Sequence, residues 1–456
     1  VGEVAAAIAI GGLLFAAFFV PPQANGVLDA GGYRALRLAA AASGVWTVCA
    51  ALLVPLTISD VSGKPLRENV NPVEIWRVTA LVDTASAWRW TALLALVITV
   101  ASRLVLRWSW TPVLFAGALL TLVPLALTGH SAAGGSHDLA TNSLLIHLIA
   151  AALWCGGLLA LLAHGLRRGD HTDLAARRFS AGAPRCLAAA LISGGAHPPA
   201  LGVAKAAALV GLGGFGWWQR RSAVTSLHRD PDARAPLIRL ATAEALLFGA
   251  TFGIAVGLGR TPPPPPQQLN PSPAEVALGY DLAGPPTVAR ILLDWRFDLI
   301  FGSAAIVLAA VYIAGVVRLR RRGDAWPTGR TMAWLLGCGL LLFTTSSGLG
   351  RYMPAMFSMH MAAHMLLSML IPILLVLGAP TTLALRALPA AGKGNPPGPR
   401  EWLLAGMHSR WSRFFTHPVV ATVVFVSGFY ALYFGGIFDA AVSQHGAHVL
   451  MNLHFL

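Results

Sequence analysis

The stretch MFSMHMAAHML, residues 356–366, sets His360 and His364 four residues apart among four methionines, in a chain with only nine. An i,i+4 spacing puts both imidazoles on one face of a helix. Met353 and Met356 continue that face, and Met361, Met365 and Met369 form a neighbouring stripe. Imidazole with thioether suits copper, Cu(I) above all, and the scarcity of carboxylates nearby argues against magnesium, calcium or manganese. The competing reading is that the methionines only fill gaps in a core. A second pair, His445 and His448, is spaced i,i+3 and also shares a face. Two such helices side by side would offer His360, His364, His448 and His445 to one ion, with Met356 or Met361 at the rim. His454 lies about 9 Å further along the same helix and reads as a supporting or haem-type ligand.

A third constellation is TGHSAAGGSHDLATNSLLIHLIAAALWCGGL at residues 128–158, with His130, His137 and His147. Gly134, Gly135 and Asp138 form the turn between two apolar runs. His147 stands about two and a half turns into the second run, on the face of Trp154. A glycine-rich loop bracketed by histidines reads as an entry port for a soft cation; the alternative is a set of hydrogen-bonded structural histidines. His164, His171, His228, His408 and His417 fall in or beside basic loops and read as solvated or headgroup-facing. Cys49, Cys155, Cys186 and Cys338 stand singly in apolar runs and read as small core hydrophobes. The sequence contains no GxxxxGK[ST], DKTG, HExxH or GxSxG, so it encodes no ATP-driven pump, zinc protease or serine hydrolase of those types. No catalytic dyad is visible, and the chain is not read as an enzyme.

The elements that must position these residues follow from composition. Of 456 residues, 56% are hydrophobic and 11% charged, where a soluble domain carries about a quarter charged residues. The chain therefore reads as a polytopic membrane protein with the lipid bilayer as its solvent. Its net charge of +14 comes from basic residues clustered in short loops between apolar runs, the positive-inside pattern rather than a nucleic-acid surface. A span needs about 20 apolar residues to cross a core of ~30 Å, which gives about thirteen candidates: 4–20, 36–58, 87–106, 111–128, 139–162, 174–192, 200–218, 236–258, 298–317, 331–349, 357–377, 418–434 and 443 onward. The runs are continuous, not alternating, so nothing suggests a β-barrel.

Placing the basic loops in the cytoplasm puts Val1 and the candidate metal histidines on the extracytoplasmic side of the plasma membrane. One discordant outer loop, 59–86, contains NPVEIWRVTALVD, which reads as an interfacial amphipathic helix. The proline-rich run RTPPPPPQQLNPSPAEVALG at 260–279 is a stiff spacer that cannot cross a bilayer. The expected fold is all-α: two transmembrane helical bundles, 1–259 and 294–456, joined by an extracytoplasmic linker and interfacial segment at 260–293. The chain opens on Val1 and stops inside an apolar run, so it reads as part of a longer protein with further helices beyond the second bundle.

At these residues the chain resembles two membrane families. GHSA…H…N…IHLIAAALWCGGL, with RRFS at 177–180, resembles the copper-resistance protein D (CopD) family, multispan proteins associated with copper uptake across the inner membrane. From about Asp294, the text SSGLGRYMPAMFSMHMAAHMLLSMLIPILLVLGAP, then HP at 417–418, FYALYFGGIFDA and HGAHVLMNLHFL, resembles the caa3-type cytochrome c oxidase assembly factor CtaG. A fusion of this kind looks like those of mycobacteria and other actinobacteria. The resemblance implies a first unit that admits or senses copper through His130 and His147. It implies a second that holds copper, or supports the oxidase subunit being metallated, through His360, His364 and His448. Cytochrome c oxidase subunits and copper chaperones are the implied partners. The segment SGGAHPPALG at 193–202 is shorter than the first family would place there. Two rival readings stay open: a haem-binding redox protein, since paired transmembrane histidines ligate haem axially, and a non-metal assembly scaffold.

The orientation makes a direct prediction. A cysteine at Gln267 reacts with an impermeant thiol reagent in intact cells, and one at Gly323 does not. Protection at 267 with labelling at 323 inverts the topology.

Overall fold

A backbone surrounded by hydrocarbon must satisfy every N–H and C=O within itself, so helices or closed barrels are its only spanning forms. The computed structural model describes residues 1–68, 71–79, 81–128, 137–193, 272–392, 397–438 and 445–456, together with Gly214 and Thr242. Among these every regular element is helical, and the one extended pairing is an isolated bridge between Val27 and Arg107. Seven described helical segments are long and apolar enough to cross a membrane: Gly2–Phe19, Ala30–Ser62, Asp83–Leu104, Trp108–Ala126, Ala140–Leu166, Phe301–Arg321 and Phe357–Ala387. The chain is an all-α, multi-pass membrane protein.

Several expected spans differ from this set for identifiable reasons. The helix Thr172–Ser193 carries Arg177, Arg178 and Arg185 with Pro184 inside it, and Thr328–Ser346 carries Arg330 and a polar end. Pro418–Tyr433 is apolar but only 16 residues long, and His445–Phe455 has 11. Apart from Ser193, Gly214 and Thr242, the expected spans 200–218 and 236–258 and the short segment 193–202 lie outside the described residues, as does most of the proline-rich linker. The chain divides into two units, Val1–Pro266 and Gln267–Leu456.

In the first unit, α1 (Gly2–Leu14) continues into a π-helical turn, Phe15–Phe19. It crosses the helix His137–Leu166 where the matching sequences IGGLL and CGGLL meet. A Cβ on Gly11 or Gly156 would land on the facing backbone, so these glycines permit the close approach by which membrane helices pack. Between the two, Asp29 accepts the N–H groups of Gly31 (3.3 Å) and Gly32 (2.7 Å) and starts α2 (Ala30–Ser62). Ser43 Oγ donates to Ala95 O at 2.9 Å and ties α2 to the helix Asp83–Leu104. The π-turn carbonyls are answered from outside: Trp108 Nε1 donates to Ala17 O and Arg178 to Phe18 O. Within the discordant outer loop, a helix forms over Pro72–Thr79, and Arg89 lies over the Trp76 ring at 4.5 Å.

One histidine departs from expectation here. His164 is not a solvated loop group: it is 8% exposed, packs on Phe15 with ring centroids 4.8 Å apart, and its Nε2 faces Asp170 O at 2.9 Å. The adjacent arginines Arg167 and Arg168 mark a loop, but Gly31 and Gly169 leave room for the ring to fold back under it.

In the second unit, the helices Phe301–Arg321 and Thr328–Ser346 pair through Tyr312, which stacks on Trp334 at 4.9 Å. Tyr312 donates to Gly378 O at 2.7 Å and accepts from Trp326 Nε1 at 3.2 Å. These bonds hold the break at Gly378–Ala379, where Ala379 takes a φ of 49° before Pro380 starts the next helix. The other end is closed by the segment 280–298. Arg351 pairs with Asp294 and donates to Asp281 O at 2.6 Å. Tyr280 donates to Arg351 O at 2.7 Å, and Tyr352 to Gly284 O at 2.6 Å.

The glycine crossing predicts a sharp contrast in stability. Gly156→Ala overpacks the contact between α1 and the helix His137–Leu166 and costs roughly 1–3 kcal/mol, lowering the thermal midpoint of the solubilised protein by several degrees. Gly182→Ala, which meets open space, leaves the midpoint unchanged.

Candidate metal centre

Met356, in an extended conformation, is the N-cap of the helix Phe357–Met365, which runs directly into a π-helical turn at Leu366–Leu370. The i,i+4 spacing then works as geometry requires: the rings of His360 and His364 lie 4.0 Å apart, centroid to centroid. His448, from the helix His445–Phe455, brings its ring to 6.0 Å from that of His360. All three are buried, His360 to 1%, His364 to 0% and His448 to 9% exposure. Four aromatic side chains wall the cluster. Phe438 stands edge-on to His360 at 5.0 Å, Phe357 stacks beside it at 6.4 Å, Tyr433 lies at 6.4 Å, and Phe455 tilts against His364 at 4.6 Å.

The three imidazoles are not equivalent. Both nitrogens of His364 are engaged: Nε2 with Asn452 Oδ1 at 3.1 Å and Nδ1 with Tyr433 Oη at 3.2 Å. An amide oxygen only accepts, so Nε2 carries the proton and Nδ1 accepts from the tyrosine hydroxyl. That ring is fixed in position and tautomer, with its lone pair occupied. Its backbone carbonyl, next to the π-turn, accepts from Ser368 Oγ at 2.6 Å. His360 is the opposite case: neither ring nitrogen has a well-formed hydrogen bond, although the Met353 carbonyl faces the ring. A buried imidazole in that condition calls for a partner, and a neutral imidazole always keeps one lone pair for a soft cation. As the side chains stand, no three His, Cys, Asp or Glu groups among the described residues are drawn together tightly enough to enclose an ion. The donors fit copper in kind; closing on an ion requires the rings to shift.

The sequence-predicted residues sort accordingly. His360, His364 and His448 share one pocket. Met361, next in the chain to His360, is half-buried, and so is Met356 at the helix start. Met353 does not continue the His360 face, because the helix only begins at Phe357; it packs with Leu349 and Ala363 instead. Met365 and Met369 are exposed. His454 is turned away from the cluster and lies against Gly428, so it is not a deeper ligand. His445 opens its helix, and its side chain lies outside the described residues, as do His130 and the side chain of His137. His147 is half-buried in the helix His137–Leu166, and Trp154 is buried. Tyr433 and Asn452 were not anticipated; the one available signal was that Asn452 follows His448 at i+4, on the same face.

Comparison with known proteins adds two domain matches. The model for "Copper resistance protein D-like, N-terminal domain" matches residues 1–138, and that for "Cytochrome c oxidase caa3 assembly factor (Caa3_CtaG)" matches residues 310–456. The first match includes His130 and His137 and ends before His147; the second includes the whole imidazole cluster. "Uncharacterized protein Mb0105" of Mycobacterium bovis is 37% identical over 470 residues, spanning 100% of this chain and 68% of that protein. "Uncharacterized protein ML1998" of Mycobacterium leprae is 34% identical over 471 residues with the same coverage. No solved structure matches. The chain belongs to the family of these mycobacterial proteins and joins a copper-resistance-D-like domain to a caa3 oxidase assembly-factor domain, which gives it a copper-related role and a part in cytochrome oxidase assembly in general.

Proposed function

We propose that the chain takes up copper at the extracytoplasmic face of the plasma membrane and hands it to cytochrome c oxidase during maturation. In this reading the imidazole cluster of the second unit is the holding site. His360 supplies a lone pair, His448 approaches from the neighbouring helix, and His364 keeps the pocket in register through Tyr433 and Asn452. Met356 and Met361 serve the rim, with His445 near the entrance. His130, His137 and His147 form the port of the first unit, and Cu(I) is the favoured oxidation state because the donors are imidazole and thioether. Oxidase subunits and copper chaperones are the partners on either side of the transfer.

One observation carries the reading: His360 is 1% exposed, with no well-formed hydrogen bond to either ring nitrogen, in the domain matched to an oxidase assembly factor. A scaffold that used its histidines only for packing would satisfy them from neighbouring helices, as His364 is satisfied. A haem would need a slot between the rings, and Phe438 and Phe455 lie within 5.0 Å and 4.6 Å of them.

Equilibrium dialysis of the purified protein tests this. His360→Ala and His448→Ala remove copper binding by the second unit, whereas Asn452→Ala and Tyr433→Phe, acting through His364, weaken it by roughly 10–100-fold. His454→Ala has no effect. In cells, His360→Ala lowers oxidase activity at unchanged subunit levels. Full copper binding by His360→Ala, or a Soret band in the wild-type protein, overturns the proposal.

A further inference from the structure

Between the helices Phe357–Ala387 and Pro418–Tyr433 the chain makes two short helices, Pro399–Met407 and Arg410–Phe415. The second is both basic and aromatic, and it carries nothing that the copper site uses. Arg410 and Arg413 are spaced i,i+3 and share one side of this helix, and His417 follows just beyond its end. Together with Phe414 and Val420 they line an open cleft of about 590 Å³. Neither guanidinium has an ion-pair or hydrogen-bond partner among the described residues, and the carboxylate of Glu401, in the preceding helix, is spent on the N–H groups of Ala391 and Gly398. Trp411, Phe414 and Phe415 are each more than half exposed.

The position of the cleft decides what would fill it. His417 is the N-cap of an apolar helix and Val420 lies in its first turn, so the cleft runs from a cationic mouth onto a hydrocarbon-facing surface. A phospholipid has the same layout, a phosphodiester followed by acyl chains. Aromatic residues at this depth belong to the interfacial belt, and basic clusters beside a span recruit anionic lipid. We propose that Arg410, Arg413 and His417 bind the headgroup phosphate of an anionic phospholipid, with Phe414 and Val420 against its acyl chain.

Native mass spectrometry of the full chain in detergent, titrated with phosphatidylglycerol or phosphatidylcholine, tests the site. Phosphatidylglycerol binds in preference, and Arg410→Gln/Arg413→Gln reduces its affinity by roughly tenfold or more. Arg410→Lys/Arg413→Lys keeps most of the preference, which separates loss of the site from misfolding. Arg320→Gln/Arg322→Gln, an equal loss of exposed charge elsewhere in this unit, leaves the preference intact, and inorganic phosphate does not displace the lipid. Equal binding of both lipids, an equal effect of the two glutamine pairs, or displacement by phosphate alone overturns the proposal.

Discussion

A bundle that lives in hydrocarbon has no water with which to settle its buried polar groups, so each must be answered from within the chain. This constraint organises both units. The Tyr312 hydroxyl lies between the Trp326 indole and the Gly378 carbonyl and fixes the helix break that starts the segment at Pro380. Trp108 and Arg178 take the carbonyls of the π-turn at Phe15–Phe19. Tyr433 and Asn452 settle both nitrogens of His364. Against that background the ring of His360, walled by aromatic side chains, with neither nitrogen in a well-formed hydrogen bond, is one of the exceptions among the described residues, and the one that the proposed chemistry depends on.

The site is held by few elements, each with its own cause. The i,i+4 pair comes from one helix, and Ser368, in the π-turn that follows, bonds back to the His364 carbonyl four residues before it. Beneath the cluster, Phe301, Leu341, Leu367, Ile371 and Phe455 form a continuous apolar floor. At the same end, Arg351 pins the segment 280–298 through Asp294, Asp281 and Tyr280. A rigid floor and a fixed His364 leave His360 and His448 as the groups whose small movement would gather an ion. Preorganised neighbours of this kind are what metal sites use to orient ligands.

Much of this was legible in the sequence, because helical periodicity and apolar run length are local signals. The helices at Asp83–Leu104 and Phe301–Arg321 fall where continuous apolar runs place them, and His360 with His364 had to share a face. Convergence with His448 followed from pairing two histidine-bearing helices. What stayed hidden depends on contacts across the fold. Tyr433 and Asn452 reach His364 from 69 and 88 residues away. His164 looked like a loop residue because Arg167 and Arg168 adjoin it, and only the gap left by Gly31 and Gly169 allows it to be buried. The π-turns have no compositional mark at all, and Met353 left its predicted face because a helix start intervened at Phe357.

The central claim is that the imidazole of His360 is a copper ligand. X-ray absorption at the copper edge, on the copper-loaded chain, tests it most directly. The account predicts nitrogen scattering with the multiple-scattering pattern of imidazole, lost or sharply reduced in His360→Ala. A spectrum without imidazole, or one that His360→Ala leaves unchanged, contradicts it.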